Sequence, residues 1–357
     1  MKNIAVIGAG MAGLACAQTL QEAGFLVTVF DKSRGPSGRV STRQGEGWQC
    51  DHGAQYFTVS TAPFAAQMDK WLQAGVVTVW QGRLFETDGQ QLQPKAGNKQ
   101  RFVGVPKNTA PARQMAERLT VELEQTIEQI QQVDSVWQVQ SKEHGIYPQG
   151  FDQVILAIPA PQAAALLPMH ASFQALAANV KMRGCWAMMA RYTKPLVWPF
   201  DGLFVNHGPL SWVARDSSKP GRSTVAALPA KAERAQEDSP QPAQTAVPES
   251  TDAVNEVWSI HASAEWSEAH LEDPPETVTA AMIEAFVALG GTTPTAVSVH
   301  RWRYADCAPP LTQGYAWDAT QCLGLCGDWL NGGKVEGAWM SGYLLAQAIT
   351  QHYPQSN

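Results

Sequence analysis

No stretch of this 357-residue chain carries a run of basic residues, its formal net charge is −6, and only 16% of it is charged. A nucleic-acid groove or an anionic membrane surface needs clustered Lys and Arg, so the composition points away from both. The chain also lacks an uninterrupted apolar run of the length a membrane helix requires. Its six cysteines, Cys16, Cys50, Cys185, Cys307, Cys322 and Cys326, show no CxxC spacing. Without that spacing there is no zinc ribbon or dithiol redox site, and the thiols read as free and buried in a reducing cytosol. No metal spacing links the eight histidines, no Ser/His/Asp arrangement or pair of acids stands out, and no repeat of solenoid period is visible. The opening, Met1-Lys2-Asn3 followed by IAVIGAGMAGLACA, imitates a secretory signal, yet three glycines punctuate its apolar run at a spacing that suits a binding turn. A cytoplasmic location, small-molecule partners and no metal are expected.

What is present suits a large globular core. Hydrophobic residues make up 45% of the chain, and its length favours two domains. IAVIG at 4–8 is a short β-branched run of the kind buried in parallel sheets. MAGLACAQTLQEAG then alternates as a helix ending at Gly24, and LVTVFD at 26–31 gives a second strand, completing a βαβ unit. Asn108 or Thr109 is expected to cap a helix running from Pro111 to Leu119. VELEQTIEQI, SVWQVQ and FDQVILAIPAPQAAALL then supply more strands and a helix that rejoin the first domain. From about 166 to 297 the character changes to Trp- and Met-rich strand pieces, read as a second, mostly antiparallel domain. Residues 217–255 hold five prolines, with no aromatic between Trp212 and Trp258, and read as a solvated loop. The resulting division assigns 1–57, 101–165 and 298–357 to an α/β, Rossmann-type nucleotide domain, and 58–100 and 166–297 to a substrate domain.

Gly8, Gly10 and Gly13 form G-A-G-M-A-G between a strand and a helix start. The first glycine makes the turn, the second admits a pyrophosphate and the third lets helix and strand pack closely. The phosphates then meet the helix N-terminus at Met11 and Ala12. Asp31 ends the next strand, where its carboxylate can accept from ribose hydroxyls, with Lys32 and Ser33 beside it. The motif alone does not separate NAD from FAD. Gly38 and Arg39, in Ser33-Arg34-Gly35-Pro36-Ser37-Gly38-Arg39, offer a glycine turn and a guanidinium for a second phosphate or a flavin edge. Asp51-His52-Gly53-Ala54-Gln55-Tyr56 can line an isoalloxazine. Near the other end, Gly327-Asp328 closes an apolar strand and Gly332 to Ala338, through Val335 and Glu336, opens the last helix. The carboxylate suits a ribityl hydroxyl, and the helix start suits the negative charge of a reduced flavin. HRWRYADC at 300–307 alternates Arg301 and Arg303 with His300, Trp302 and Tyr304. It reads as an aromatic wall with arginines for an anionic substrate such as a phosphate, or else as an ordinary half-buried strand.

GAGMAGL with Asp31, SGRVSTR, DHGAQYF, DQVILAIPAPQAAALL, WSIHASAEWSEAHLED, HRWRYA and GLCGDWLNGGKVEGAWMSG together resemble the renalase branch of the flavin-containing amine oxidase superfamily. The likeness spans nearly the whole chain. Only 217–255 departs, being longer and richer in Pro and Ala than relatives lead one to expect. The resemblance implies a fold like that of p-hydroxybenzoate hydroxylase, noncovalently held FAD and a discontinuous nucleotide domain. It implies FAD contacts from Gly8, Gly10, Gly13, Asp31, Arg39, Gln55, Asp328, Val335 and Ala338, with Ile127 offering its backbone to the adenine. It also implies a reaction in which 2- or 6-dihydro isomers of NAD(P)H return to NAD(P)+ and O2 becomes H2O2. Because aromatisation drives hydride loss, such a site needs orientation more than a base. Tyr56, Trp186, His261, Trp302 and Tyr304 are the expected substrate-lining residues. Two alternatives remain open. One is an oxidase of small amines, in which relatives commonly use a lysine to hold a water near flavin N5, although Lys181 and Lys194 sit in no recognisable motif. The other is a non-catalytic FAD-binding module.

Overall fold

The computed structural model describes residues 2–97, 99–169, 171–222 and 256–353. The apolar run and glycine turn at the start fold as read: β1 (Asn3–Ile7), α1 (Met11–Glu22) and β2 (Leu26–Phe30), then a hairpin of β3 (Thr42–Gly45) and β4 (Trp48–Asp51). Next come α2 (Ala62–Gln73), β5 (Val77–Val79), β6 (Leu84–Thr87), β7 (Leu92–Pro94) and β8 (Phe102–Gly104). α3 (Ala110–Ala116) leads to β9 (Thr120–Glu122), the hairpin β10 (Ile127–Val133) and β11 (Val136–Ser141), β12 (Gly145–Ile146) and β13 (Gln153–Leu156). α4 (Ala160–Leu166) and α5 (Gln174–Ala178) precede β14 (Met182–Tyr192), β15 (Gly202–Val205) and β16 (Leu210–Arg215). The described chain resumes with β17 (Glu256–Ala262), α6 (Ala264–Ala269), α7 (Pro275–Ala288) and β18 (Ala296–Cys307), and ends with β19 (Ala316–Asp318), β20 (Leu323–Leu325) and α8 (Lys334–His352).

Two large sheets organise these elements. The first has the order β19, β20, β13, β1, β2, β9 and is parallel except for β19. Its central strands are buried on both faces, as runs such as IAVI and QVIL require. The second has the order β18, β14, β17, β16, β15, β6, β7 and is antiparallel except where β6 joins β15. This is the α/β architecture with a second, mostly antiparallel sheet that the sequence implies.

Several details differ from the sequence reading. β18 (Ala296–Cys307) is the edge of the second sheet, so a domain division at 298 cuts a strand near its start. Phe64, Met68 and Trp71 of α2 pack into the core of the first sheet, although the sequence put them with the substrate domain. The helix after Thr109 ends at Ala116, and the Asn108 side chain caps nothing. It accepts instead from the Gly104 N–H and donates to the Ala54 carbonyl. The expected solvated loop begins too early. Lys219 and Arg222 are buried, because their charges meet carboxylates inside the protein. Residues 223–255 lie outside the described residues.

The two ends of the chain meet through backbone. A Cβ built on Gly342 of α8 would lie 1.9 Å from the Ala12 carbonyl oxygen and 3.0 Å from the Cys16 nitrogen of α1. Only a residue without a side chain permits that approach, and it sets the last helix beside the first glycine turn. Gly342→Ala, which by helix propensity alone would stabilise α8, is therefore expected to cost about 2 kcal/mol through overpacking against an unyielding carbonyl. Thermal melting of the variant checks this, with Gly35→Ala as a control because open space surrounds that Cβ position. An unchanged Tm for Gly342→Ala would contradict the packing argument.

Candidate dinucleotide and substrate site

The glycine turn is built to meet a ligand. Gly8 has φ +111°, and a Cβ on it would lie 2.5 Å from the Ala157 carbonyl oxygen, while one on Gly13 would lie 1.9 Å from the Gly8 carbonyl oxygen. Gly10 differs: a Cβ there would meet nothing within 4 Å, and it stands at the uncapped N-terminus of α1. That open cradle, with unpaired N–H groups at Met11 and Ala12, fits a pyrophosphate. Asp31 braces the turn, accepting from the Ala9 N–H at 2.6 Å and the Ser33 N–H at 2.8 Å. Lys32 is exposed beside it. Gly38 folds back over Gly10, since its own Cβ position is 3.2 Å from the Gly10 Cα. Ile127 begins β10, two residues past Gln125, whose N–H donates to the Asp31 carbonyl.

Arg39 joins the two ends of the site. Its guanidinium donates to both carboxylate oxygens of Asp328, one at 3.1 Å, and to the Ala305 carbonyl at 3.0 Å. Gly327, just before Asp328, donates to Ser341 of α8 at 2.9 Å. The start of α8 has no side-chain cap. Val335 is buried and Ala338 packs against the same core, so only their backbone could be offered to a cofactor. The Glu336 carboxylate is turned away, accepting from the N–H groups of Ser60 and Thr61 and the Thr61 hydroxyl at the start of α2. Gln55 is likewise engaged within the protein, donating to the Asp51 and Gly53 carbonyls and accepting from Lys219. Its side chain orders the 51–56 turn, and only its backbone is left for a cofactor.

Cross-strand register decides what faces this turn. Ala187 lies opposite both His261 and His300, and Cys185 opposite Trp302, so these residues share one face of the second sheet. Trp212, opposite His261, joins them. The intervening residues point the other way: Trp186, Met188, Trp258 and Ile260 pack against Val278, Met282 and Phe286 of α7. Trp186, expected at the substrate, is therefore core, with its indole N–H on the His270 carbonyl. The residue opposite it is Arg301. Arg301 and Arg303 both donate to Glu272, so the expected role for them in binding an anion is not supported. A bulge between Arg183 and Cys185 breaks the alternation beyond Trp302, and Tyr304 makes no ring contact among the described residues.

On the near face His52 stacks on Trp302 with centroids 5.2 Å apart, and His300 contacts both rings edgewise. The Trp302 indole donates to the His52 carbonyl at 3.0 Å. Tyr56 meets Trp212 at 5.8 Å. The structure thus brings together three of the expected residues, Tyr56, His261 and Trp302, and adds His52, His300 and Trp212. All three histidines are kept neutral. Burial, then the neighbouring His300 and Arg43, pushes His52 down to about 3. Burial and Lys219 bring His261 to about 4, and burial and Arg43 do the same for His300. His52 Nδ1, His261 Nε2 and Trp212 Nε1 are buried with no hydrogen-bond partner among the described residues. Buried polar atoms of this kind are normally satisfied by water or by a ligand.

Behind the turn lies a buried ion network that the sequence reading missed. Lys219 Nζ is 2.7 Å from Asp216, 3.3 Å from Asp51 and 3.2 Å from the Gln55 oxygen. Arg222 completes the Asp51 shell. The charges of Lys219 and Arg222 hold the Asp51 carboxyl down to about 2 against its burial. The spacing Asp216-x-x-Lys219-x-x-Arg222 was the available signal, hidden by the proline-rich stretch that follows.

Two outcomes follow. Asp31→Ala leaves two backbone N–H groups unpaired and should weaken cofactor retention by about 1–3 kcal/mol, read as a lower flavin-to-protein absorbance ratio after gel filtration; full occupancy would remove Asp31 from the site. The histidines titrate near 6.5 when unfolded but at about 3 to 4 when folded. Their contribution is thus complete above pH 6.5 and is lost as pH falls, by about 2 kcal/mol per histidine at pH 5. Thermal melts between pH 7.5 and pH 5 should show Tm falling, and His52→Phe should flatten that dependence.

Comparison with known proteins places this geometry. Residues 6–70 match the NAD(P)-binding Rossmann-like domain, and residues 72–350 match the flavin containing amine oxidoreductase family. Among curated proteins the chain is 46% identical over 52 residues to a zeta-carotene-forming phytoene desaturase of Myxococcus xanthus, and 46% identical over 54 residues to an L-amino-acid oxidase of Daboia russelii. Each match covers 15% of this chain and only 10% or 11% of the relative. The fold resembles a putative protoporphyrinogen oxidase from Exiguobacterium sp. 255-15, with TM-score 0.73, 12% identity and 99% of both chains covered. It also resembles the cyclohexylamine oxidase of Brevibacterium oxydans IH-35A, with TM-score 0.68, 12% identity and 99% and 100% coverage. Among the described residues no helix is long and apolar enough to cross a membrane. With its family model matched over most of its length, the chain belongs to the flavin containing amine oxidoreductases, a family of FAD-dependent enzymes.

Proposed function

We propose that this chain is a renalase-like oxidase that binds FAD noncovalently and converts 2- or 6-dihydro isomers of NAD(P)H to NAD(P)+, with O2 reduced to H2O2. The observation that carries this reading is the near-face wall of His52, His261, His300 and Trp302, all uncharged, with two imidazole nitrogens lacking partners. A dihydronicotinamide is flat and uncharged, and its carboxamide both donates and accepts hydrogen bonds. Trp302 and His52 offer it stacking surface, and a neutral imidazole offers either a lone pair or an N–H. FAD supplies the hydride acceptor and the route of electrons to oxygen. The chain supplies orientation: the 51–56 turn is tied to the sheet through Trp302 and to Arg39 through the Ala54 N–H, which donates to the Arg39 carbonyl at 2.9 Å. No base is required, because loss of hydride makes the ring aromatic.

Oxidation of a small amine is the second reading, and the buried Lys219 beside Gln55 is what favours it. Against it, an ammonium has three donors, and Asp216, Asp51 and Gln55 accept from Lys219 Nζ. No N–H is left to hold a water. Among the described residues the near face carries no free acid to attract a cationic substrate, while Arg43 and Lys219 lie close enough to depress its histidines.

Anaerobic mixing of the FAD-loaded protein with the isomeric dihydronicotinamides, beside a panel of monoamines and polyamines, tests the proposal. Bleaching of the visible flavin band by the isomers and not by amines is expected. Reduction by an amine with the isomers inert would reject the reading, and a flavin that none of these compounds reduces would indicate a non-catalytic module.

A further inference from the structure

A dihydronicotinamide nucleotide carries phosphate, and the structure takes Arg301 and Arg303 out of contention for it, since Glu272 holds both. Other guanidiniums near the site are also committed, Arg39 to Asp328, Arg222 to Asp51 and Arg183 to Asp306. Arg43 is different. It has no carboxylate and no hydrogen-bond partner among the described residues, yet it is half-buried. Its position follows from register. Arg43 on β3 is directly opposite Cys50 on β4, so the two side chains leave the hairpin on the same side. Cys50 packs on Met189 and Val257 of the second sheet. Met189 lies opposite Ser298, two residues before His300 on the same face. Arg43 is thereby carried on the side of the hairpin that meets the histidine wall, and its charge is felt by both His52 and His300.

A guanidinium held partly out of water without a counter-charge is costly unless a ligand completes it. Its planar fork suits a phosphate. We infer that Arg43 anchors a phosphate group of the substrate beside the histidine and Trp302 wall, making the site selective for a phosphate-bearing reductant over an uncharged or cationic one. The inference rests on the dihydronicotinamide reading above.

The test uses the FAD-loaded protein and compares an isomeric dihydronicotinamide mononucleotide with its dephosphorylated riboside in anaerobic stopped-flow reduction. The wild type should prefer the nucleotide, and Arg43→Met should shrink the riboside-to-nucleotide ratio of apparent Kd by about tenfold, as for loss of one charge-assisted phosphate contact. Arg43→Lys should recover part of it. An unchanged ratio in Arg43→Met overturns the inference. So does loss of FAD from that variant without a change in ratio, because the guanidinium would then serve the cofactor. If neither reductant bleaches the wild-type flavin, the dihydronicotinamide reading fails, and calorimetry with inorganic pyrophosphate decides for Arg43 alone. Binding that Arg43→Met abolishes supports the anchor, and the absence of such binding overturns it.

Discussion

Everything around the candidate site leans on one buried carboxylate. Asp51 accepts from the Thr42 hydroxyl at 2.6 Å and the Asn108 N–H at 3.1 Å with one oxygen, and from Lys219 and Arg222 with the other. These partners come from the β3–β4 hairpin, the entry to α3 and the segment that leaves the second sheet after β16. A fully buried carboxylate is tolerable only when its oxygens are satisfied in this way. The need to satisfy Asp51 therefore fixes three separate pieces of chain against each other. The residue that follows it is His52, and the turn up to Gln55 inherits its position. Truncating either cation would leave Asp51 charged and underpaired, a more damaging change than removing the whole cluster.

Lys219 of this network, together with Arg43, sets the electrical character of the candidate substrate face. Lys219 depresses His261, and Arg43 depresses His52 and His300, so cations ring a group of imidazoles that burial already keeps neutral. The result is a polar surface without charge of its own, bordered by positive charge. Such a surface discriminates by what it leaves unpaired as much as by what it contacts.

The parts legible in the sequence were those governed by local rules. The G-A-G-M-A-G turn, Asp31 and the flanking strands follow from backbone sterics and period, and they folded as read. The alternation in HRWRYADC correctly placed Trp302 and His300 on one face, because period 2 is a local property. Tyr304 escaped that rule because β18 itself bulges between Trp302 and Asp306, and only its pairing with Cys185 and Arg183 of β14 reveals it. Trp186 was misplaced because a tryptophan on a strand looks the same whether its face meets α7 or the cofactor domain, and only cross-strand register separates the two. Lys219 was missed because, apart from nearby Asp216, its acceptors lie 168 and 164 residues away in Asp51 and Gln55. The side chains of Gln55 and Glu336, expected at the cofactor, answer instead to the protein's own N–H, carbonyl and ammonium groups.

The close seating of Gly342 on Ala12 has a consequence for biosynthesis. β1 and α1 emerge well before their neighbours β13, β20 and α8, which follow in that order, and α8 is the last described helix. During translation the glycine turn waits exposed while the second sheet is made. The cofactor cradle is thus completed only after the whole second sheet has been made, which ties flavin loading to the docking of α8 on α1 rather than to the folding of the first βαβ unit.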